Sequence, residues 1–305
     1  MKVDEARLHL EAAGNFADIA EVKAEDREEN LERAIKAYKK ALEYFTRQKS
    51  KTEFARIQNA LGIVYAKLSG VRDKENNIKL AVKAFKEALK IYTFQDFPVD
   101  YAMTQNNLGN AYRNLAEVRD KENNLSLAVK AYNEALKIRT LEAFPVDYAM
   151  TQNNLGNAYR DLAEVRDKEN NLKLAVNAYE EALKIRTLEN FPVQYATTQN
   201  NLGNAYNDLA DVRDKEKNLK LAVKAYKEAL KIRTLEDFPV DYAITKANLG
   251  NALLGQGKIK EFVECHTEAI EVFKKEGMVD YAKREKMLLE KYEKTIGNKK
   301  RNNGD

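Results

Sequence analysis

The sequence predicts an all-α fold, a stack of similar helical hairpins, because it repeats almost perfectly with a fixed period and because each repeat has helical apolar spacing. Phe-Pro-Val occurs four times, 47 residues apart, beginning at Phe97, Phe144, Phe191 and Phe238. Residues 97–143 and 144–190 differ at five of 47 positions, and residues 191–237 differ from 144–190 at eight. Repeats of this length bury their apolar faces against their neighbours and form a solenoid.

The first helix of each repeat, helix A, is predicted from about Val99 to Val118. Its apolar residues Leu108, Ala111, Tyr112 and Leu115 lie at i, i+3, i+4 and i+7, the spacing of a helix that buries one stripe. Pro98 and Asp100 suit the first turn, where proline loses no intrahelical bond and a carboxylate meets the positive end of the helix.

The second helix, helix B, is predicted from about Leu125 to Leu141. Residues 119–124 interrupt the apolar pattern and end in two asparagines, one of them placed to cap the helix that follows. The apolar residues of helix B are Leu125, Ala128, Tyr132, Ala135 and Leu136. Their helical spacing predicts a hairpin of two antiparallel helices.

These residues resemble the tetratricopeptide repeat (TPR). Leu108-Gly109-x-x-Tyr112, then Ala128-x3-Tyr132-x2-Ala135 and Pro145 follow its signature, and the match recurs at Leu61, Leu155 and Leu202. Glutamine replaces the signature tryptophan, and the period is 47 instead of the usual 34 residues. The resemblance implies a right-handed superhelical solenoid whose concave groove is lined by helices A.

The resemblance extends to both ends of the chain and predicts one solenoid over residues 1–297. The predicted repeats are 2–50, 51–96, 97–143, 144–190, 191–237 and 238–277, and a capping helix follows at 278–297. Residues 298–305 are predicted to be a disordered basic tail.

Charge and hydropathy exclude several classes of function. Residues 97–143 carry six basic and six acidic side chains, so no basic face repeats along the stack as a nucleic-acid-binding solenoid requires. No apolar run is long enough for a membrane span or a secretory signal. With its one cysteine, Cys265, the sequence predicts a cytoplasmic protein.

Helix A carries several asparagines, which are poor helix formers, in every central repeat. Asn107 and Asn110 share a face away from the apolar stripe, and stacking would align their equivalents in two rows. The pattern is similar to the asparagine ladder of kinesin light chains and spindle-orientation adaptors, which implies hydrogen bonds to the backbone of a bound peptide. The predicted peptide-binding residues are Asn107, Asn110, Arg113, Asn154, Asn157, Arg160, Asn201, Asn204, Asn248 and Asn251. Alternatively, the asparagines bond to one another between adjacent helices or face water.

No other motif predicts catalysis, a metal or a cofactor. Cys265-His266 lacks further ligands at metal spacing, and Gly255-Gln256-Gly257-Lys258 lacks the Walker spacing. Asp120 and Glu122 alternate with basic residues and are interpreted as solvated loop charges.

The sequence therefore predicts a non-enzymatic scaffold or adaptor that binds a peptide or partner segment in a concave groove. Two alternatives remain open: a structural protein that assembles into homo-oligomers through its near-identical repeats, and a peptide-sensing regulatory module of a signalling system.

Overall fold

The computed structural model describes residues 1–302, with side chains described to residue 292, and every regular element in this part of the chain is an α-helix. It divides into two units, Met1–Arg166 and the chain from Asp167 onward. The helices of the first unit are α1 (Val3–Val22), α2 (Arg27–Tyr44), α3 (Lys51–Leu68), α4 (Lys74–Ala88), α5 (Pro98–Ala116), α6 (Lys121–Leu136) and α7 (Pro145–Leu162). Those of the second are α8 (Lys168–Leu183), α9 (Pro192–Ala210), α10 (Lys215–Ala229), α11 (Pro239–Gly255), α12 (Ile259–Lys275) and α13 (Val279–Asn302). The predicted all-α repeat fold is confirmed.

Each unit is a row of antiparallel hairpins in which a helix contacts the next one along the chain. In the first unit α1 pairs with α2, α3 with α4 and α5 with α6, and α5 also contacts the A helices on both sides of it, α3 and α7. In the second unit α9 pairs with α10, α11 pairs with α12, and α9 contacts α11. Successive A helices of a unit therefore pack directly on one another.

The hairpins close tightly because an aromatic ring on helix B lies against a glycine on helix A. Tyr132 is completely buried, and a Cβ atom added to Gly109 would lie 2.6 Å from its Cε1 atom. Tyr226 covers Gly203 in the same way, at 2.6 Å. Only glycine leaves room for this approach, which explains the Leu-Gly pair of the repeat.

Helix A begins as predicted, with Pro98 in its first turn. The bounds predicted for helix B were wrong at both ends, since α6 runs from Lys121 to Leu136. Asp120 precedes it with φ of 42°, a left-handed turn that the sequence pattern did not reveal. Asn124 is no cap but lies inside the first turn, where its Nδ2 donates to the carbonyl of Arg119 at 2.7 Å. After Leu136 the backbone forms a tighter turn, in which the Ile138 amide donates to the carbonyl oxygen of Ala135, three residues earlier, at 3.1 Å.

The last hairpin, α11 and α12, is followed by the single helix α13. Its backbone is helical to Asn302, past the predicted end at residue 297, and residues 303–305 of the predicted tail lie outside the described residues. His266 takes the place of the tyrosine ring over Gly250 and is completely buried. Its Nδ1 atom lies 2.9 Å from Oε2 of Glu285 on α13, within ion-pair distance although the ring is not oriented for a well-formed hydrogen bond.

Glu285 is 3% exposed and also contacts Arg284. Burial raises the pKa of its carboxyl group, but the contacts with His266 and Arg284 outweigh burial and hold that pKa below its ordinary value of 4.5. The charged form of Glu285 therefore links α13 to the last hairpin.

Replacing Gly109 by alanine is expected to lower the free energy of unfolding by about 2 kcal/mol, because the new methyl group overlaps the buried Tyr132 ring. Urea denaturation of the purified chain measures the change. Gly14→Ala is the matched control, because a Cβ there meets nothing within 4 Å. It lies inside α1 and should raise stability by up to about 1 kcal/mol. Equal stability of the two variants would contradict the packing described here.

Glu285→Gln should lower the free energy of unfolding at pH 7 by about 2 kcal/mol, because it removes a buried charge-assisted contact. The folded pKa of Glu285 is depressed, so its contribution is complete above the ordinary value and is lost as pH falls through the folded value. Urea denaturation from pH 7 to pH 3 should therefore reduce the difference between the two proteins. Glu290→Gln, at an exposed position of the same helix, should change little at any pH.

Candidate functional site

The predicted peptide-binding asparagines lie on helices A with their side chains partly open to solvent. We call these residues the asparagine face of each unit. It consists of Asn107, Asn110, Asn154 and Asn157 in the first unit and Asn201, Asn204, Asn248 and Asn251 in the second. Asn251 is exposed and the other seven are half-buried. Both units therefore offer carboxamide groups at their surfaces.

A second set of asparagines, which the sequence analysis did not single out, is buried beside this face. Asn106 is 3% exposed, and Asn153 and Asn200 are each 6% exposed. The sequence did contain an indication that these asparagines are buried, because Ala102, Asn106 and Gly109 lie at i, i+4 and i+7 on the buried side of helix A.

The buried asparagines bond one A helix to the next. Asn154 donates its Nδ2 to Oδ1 of Asn106 at 3.4 Å, and Asn248 donates to Asn200 at 3.3 Å. The fully buried Thr151 hydroxyl lies 3.3 Å from the same Asn106 oxygen. Bonding between helices, which the sequence analysis held open as an alternative, is thus present at Asn154 and Asn248. Each of these bonds uses one N–H of the Asn154 or Asn248 carboxamide and does not involve the carbonyl oxygen of that side chain.

Asn110 and Asn204 connect the asparagine face to the core. The Tyr132 hydroxyl donates to Oδ1 of Asn110 at 2.7 Å, and the Tyr226 hydroxyl donates to Oδ1 of Asn204 at 2.8 Å. Burial raises the pKa of Tyr132, so its hydroxyl keeps its proton and needs an acceptor. These two carboxamides are held in place through their oxygens, and their NH₂ groups point away from this bond.

Arg113, one of the predicted peptide-binding residues, already has a partner in the next repeat. Its Nε atom donates to Oδ2 of Asp161 at 2.6 Å, and the two side chains are 33% and 25% exposed. Arg160 holds the equivalent position on α7 and is half-buried. Arg113 therefore orders the surface between two helices.

A row of arginines at the ends of helices B was also missed. Arg139 is 6% exposed, and its Nη1 atom donates to Oγ1 of Thr151 at 3.1 Å. Its Nη2 atom lies 3.3 Å from Oδ1 of Asp147 in the first turn of α7. Burial lowers the pKa of Arg139, and Asp147 partly offsets that effect. Periodicity gave no signal for this contact, because Ile138 and Arg139 lie after the end of helix B.

The asparagine face of the second unit ends at a groove of about 610 Å³ between α11 and α13. Asn248 and Asn251 line one side, and Arg284, Met287, Leu288 and Lys291 line the other. Met287 is 68% exposed. Apolar, basic and carboxamide groups thus meet here, a combination suited to an extended protein segment.

The remaining candidates contribute no reactive arrangement. Within residues 1–292, whose side chains are described, no group of three or more histidine, cysteine, aspartate or glutamate side chains is arranged to hold a metal ion. Cys265 is buried, and burial raises the pKa of its thiol. Glu122, interpreted from the sequence as a loop charge, lies instead in the first turn of α6, where it is exposed and pairs with Arg166 at 3.3 Å. In the same part of the chain, every helix is too short or too polar to span a membrane.

The fold and the site together define a protein of helical repeats whose A helices carry half-buried polar side chains. Residues 149–192 and 196–239 match the family model of the tetratricopeptide repeat, so these two repeats are tetratricopeptide repeats, as their sequence predicted. No curated protein matches its sequence.

Several solved structures share this fold. BtubC (BKLC) from P. vanneervenii is 21% identical with a TM-score of 0.56, and the alignment covers 81% of this chain and 92% of that one. A putative kinesin light chain of Podospora anserina with nearly identical TPR-like repeats is 16% identical with a TM-score of 0.52, covering 72% and 96%. A Rap protein complexed with Competence and Sporulation Factor is 18% identical with a TM-score of 0.50, covering 90% and 73%.

Asn106→Ala and Asn154→Ala should differ in stability although they replace the same residue type on successive helices. Asn106→Ala removes a buried acceptor shared by two donors and should lower the free energy of unfolding by about 2 kcal/mol. Asn154→Ala removes one bond of a half-buried side chain and gains helix propensity, so the net change should stay within about 0.5 kcal/mol. Urea denaturation compares them. If Asn154→Ala lowered the free energy of unfolding as much as Asn106→Ala, the half-buried Asn154 carboxamide would serve the fold.

Proposed function

We propose that this chain is a non-enzymatic interaction scaffold that binds an extended segment of a partner protein along the asparagine faces of its A helices. A carboxamide both donates and accepts hydrogen bonds, so it can pair with a peptide backbone of any sequence. The observation that carries the proposal is that these asparagines stay open to solvent while bonds to their neighbours hold them in place.

Preorganisation is what makes such a surface effective. A flexible side chain loses rotamer freedom when it binds, at about 0.5–1.5 kcal/mol for each immobilised group. Asn154 is already tethered to Asn106, and Asn110 to the hydroxyl of the buried Tyr132. The ordering cost of these carboxamides is therefore met in the folded protein before a ligand arrives.

The groove between α11 and α13 supports the same proposal. Its volume of about 610 Å³ lies within the range of known ligand sites, and its mixed lining gives an extended segment both apolar and polar contacts. The Rap structure with Competence and Sporulation Factor is an example of a similar fold with a bound factor. Self-association and a sensing role in signalling stay predictions from the sequence.

The proposal is tested by selecting binders from a displayed library of random 15-residue peptides on the immobilised full chain and measuring affinities by fluorescence anisotropy. Asn154→Ala and Asn201→Ala should each weaken the selected peptides about fivefold, because each removes one or two neutral hydrogen bonds. Asn123→Ala is the matched control, an exposed asparagine on α6 outside the asparagine faces, and should leave affinity unchanged. Failure to enrich any peptide, or equal affinities for all three variants, would contradict the proposal.

A further inference from the structure

The near-identical repeats differ at a charged position in the first turn of helix A, next to the asparagine face of the second unit. The first turns of α7 and α11 carry Asp147 and Asp241, whereas the first turn of α9 carries Gln194. Gln194 lies seven residues before Asn201, which is two helical turns and about 10 Å along the same side of α9. The substitution therefore removes a negative charge from the side of the helix that bears the asparagine face.

That charge has a defined partner in the other repeats. Arg139 lies 3.3 Å from Oδ1 of Asp147, and Arg233 lies 3.3 Å from Oδ1 of Asp241. Arg139 and Arg233 are 6% and 9% exposed, so each guanidinium is buried with a carboxylate that compensates its charge. Both also donate to a buried threonine on the following helix.

Arg186 keeps the arginine and loses the carboxylate. Its Nη1 atom donates to Oγ1 of Thr198 at 3.0 Å, as in the other two repeats. Among the described residues, however, no carboxylate lies within ion-pair distance of its guanidinium. Burial lowers the pKa of Arg186, as it does for Arg233, but for Arg186 no acidic group opposes the effect. A half-buried cation without a counter-charge is an unfavourable arrangement that an added anion would relieve.

The place that the carboxylate takes in the other repeats is accessible from solvent. The side chains of Asp147 and Asp241, which occupy this position in the other repeats, are 46% and 51% exposed. A carboxylate from another molecule can therefore reach the corresponding place beside Arg186 from solvent. Gln194 is exposed there and offers a carboxamide N–H as a second donor.

We propose that Arg186 and Gln194 bind the side-chain carboxylate of an aspartate or glutamate in the partner segment, in the place that Asp147 and Asp241 occupy in the other repeats. This inference rests on the proposed function, since it specifies the chemistry of a ligand for the same face. The scaffold thus has one acid-selective position beside carboxamides that are indifferent to sequence.

Two conservative variants test the inference. Gln194→Asp restores the residue of the neighbouring repeats and should fill the position from within the chain, whereas Gln194→Asn keeps a neutral carboxamide. Without any ligand, Gln194→Asp should raise the midpoint of thermal unfolding by about 2 °C relative to Gln194→Asn, because it pairs Arg186. No difference between the two midpoints would overturn the idea that Arg186 accepts a carboxylate here.

The binding experiment uses the peptides selected on the full-length wild-type chain. They should share an aspartate or glutamate at one position, and its change to asparagine or glutamine should weaken binding about tenfold. That loss should persist with Gln194→Asn and disappear with Gln194→Asp. If only the free C-terminal carboxylate of the peptide matters, amidating that terminus rather than changing the acidic side chain will abolish the effect, and the side-chain assignment is wrong.

The outcomes separate this inference from the proposed function. Peptides that bind the asparagine faces without an acidic preference, or whose preference is the same in both variants, would overturn the role of Arg186 and leave the scaffold function intact. Failure of every peptide to bind would overturn both.

Discussion

The contact between an aromatic ring on helix B and a glycine on helix A is the constraint on which the hairpins α3–α4, α5–α6, α9–α10 and α11–α12 depend. Tyr132 fills the space that a side chain at position 109 would occupy, so the two helices approach closely. The same tyrosine carries its hydroxyl to Asn110 at the surface. A single side chain therefore sets the packing of the hairpin and fixes one member of the asparagine face.

The arrangement of the site depends on that contact. Because the hairpins are closely packed, successive A helices of a unit come near enough for Asn154 to reach Asn106. The buried asparagines join helices, and the half-exposed ones are ordered by them. Polar groups in an interior need partners, so one network satisfies the core and orients the surface.

The sequence predicted the helices and their phase because burial of one stripe imposes a spacing of three and four residues, which is visible in Leu108, Ala111, Tyr112 and Leu115. It did not predict where helix B begins, because the left-handed backbone at Asp120 has no periodic signature. For the candidate site, it identified the solvent-facing asparagines but not their buried partners, nor the pairing of Arg113 with Asp161. Such contacts join residues from different repeats, and a pattern within one repeat does not contain them. The single-solenoid boundaries and the ligand-binding role of these residues stay predictions.

The proposed function requires that the carboxamides of the asparagine face bind a partner while their buried neighbours serve the fold. Side-chain amide resonances of ¹⁵N-asparagine-labelled protein, assigned by mutation and recorded during titration with a selected peptide, test it most directly. The signals of half-exposed asparagines such as Asn201 and Asn248 should shift, while those of Asn106, Asn153 and Asn200 should stay in place. A titration that saturates without moving any signal of the asparagine face would contradict the proposed function.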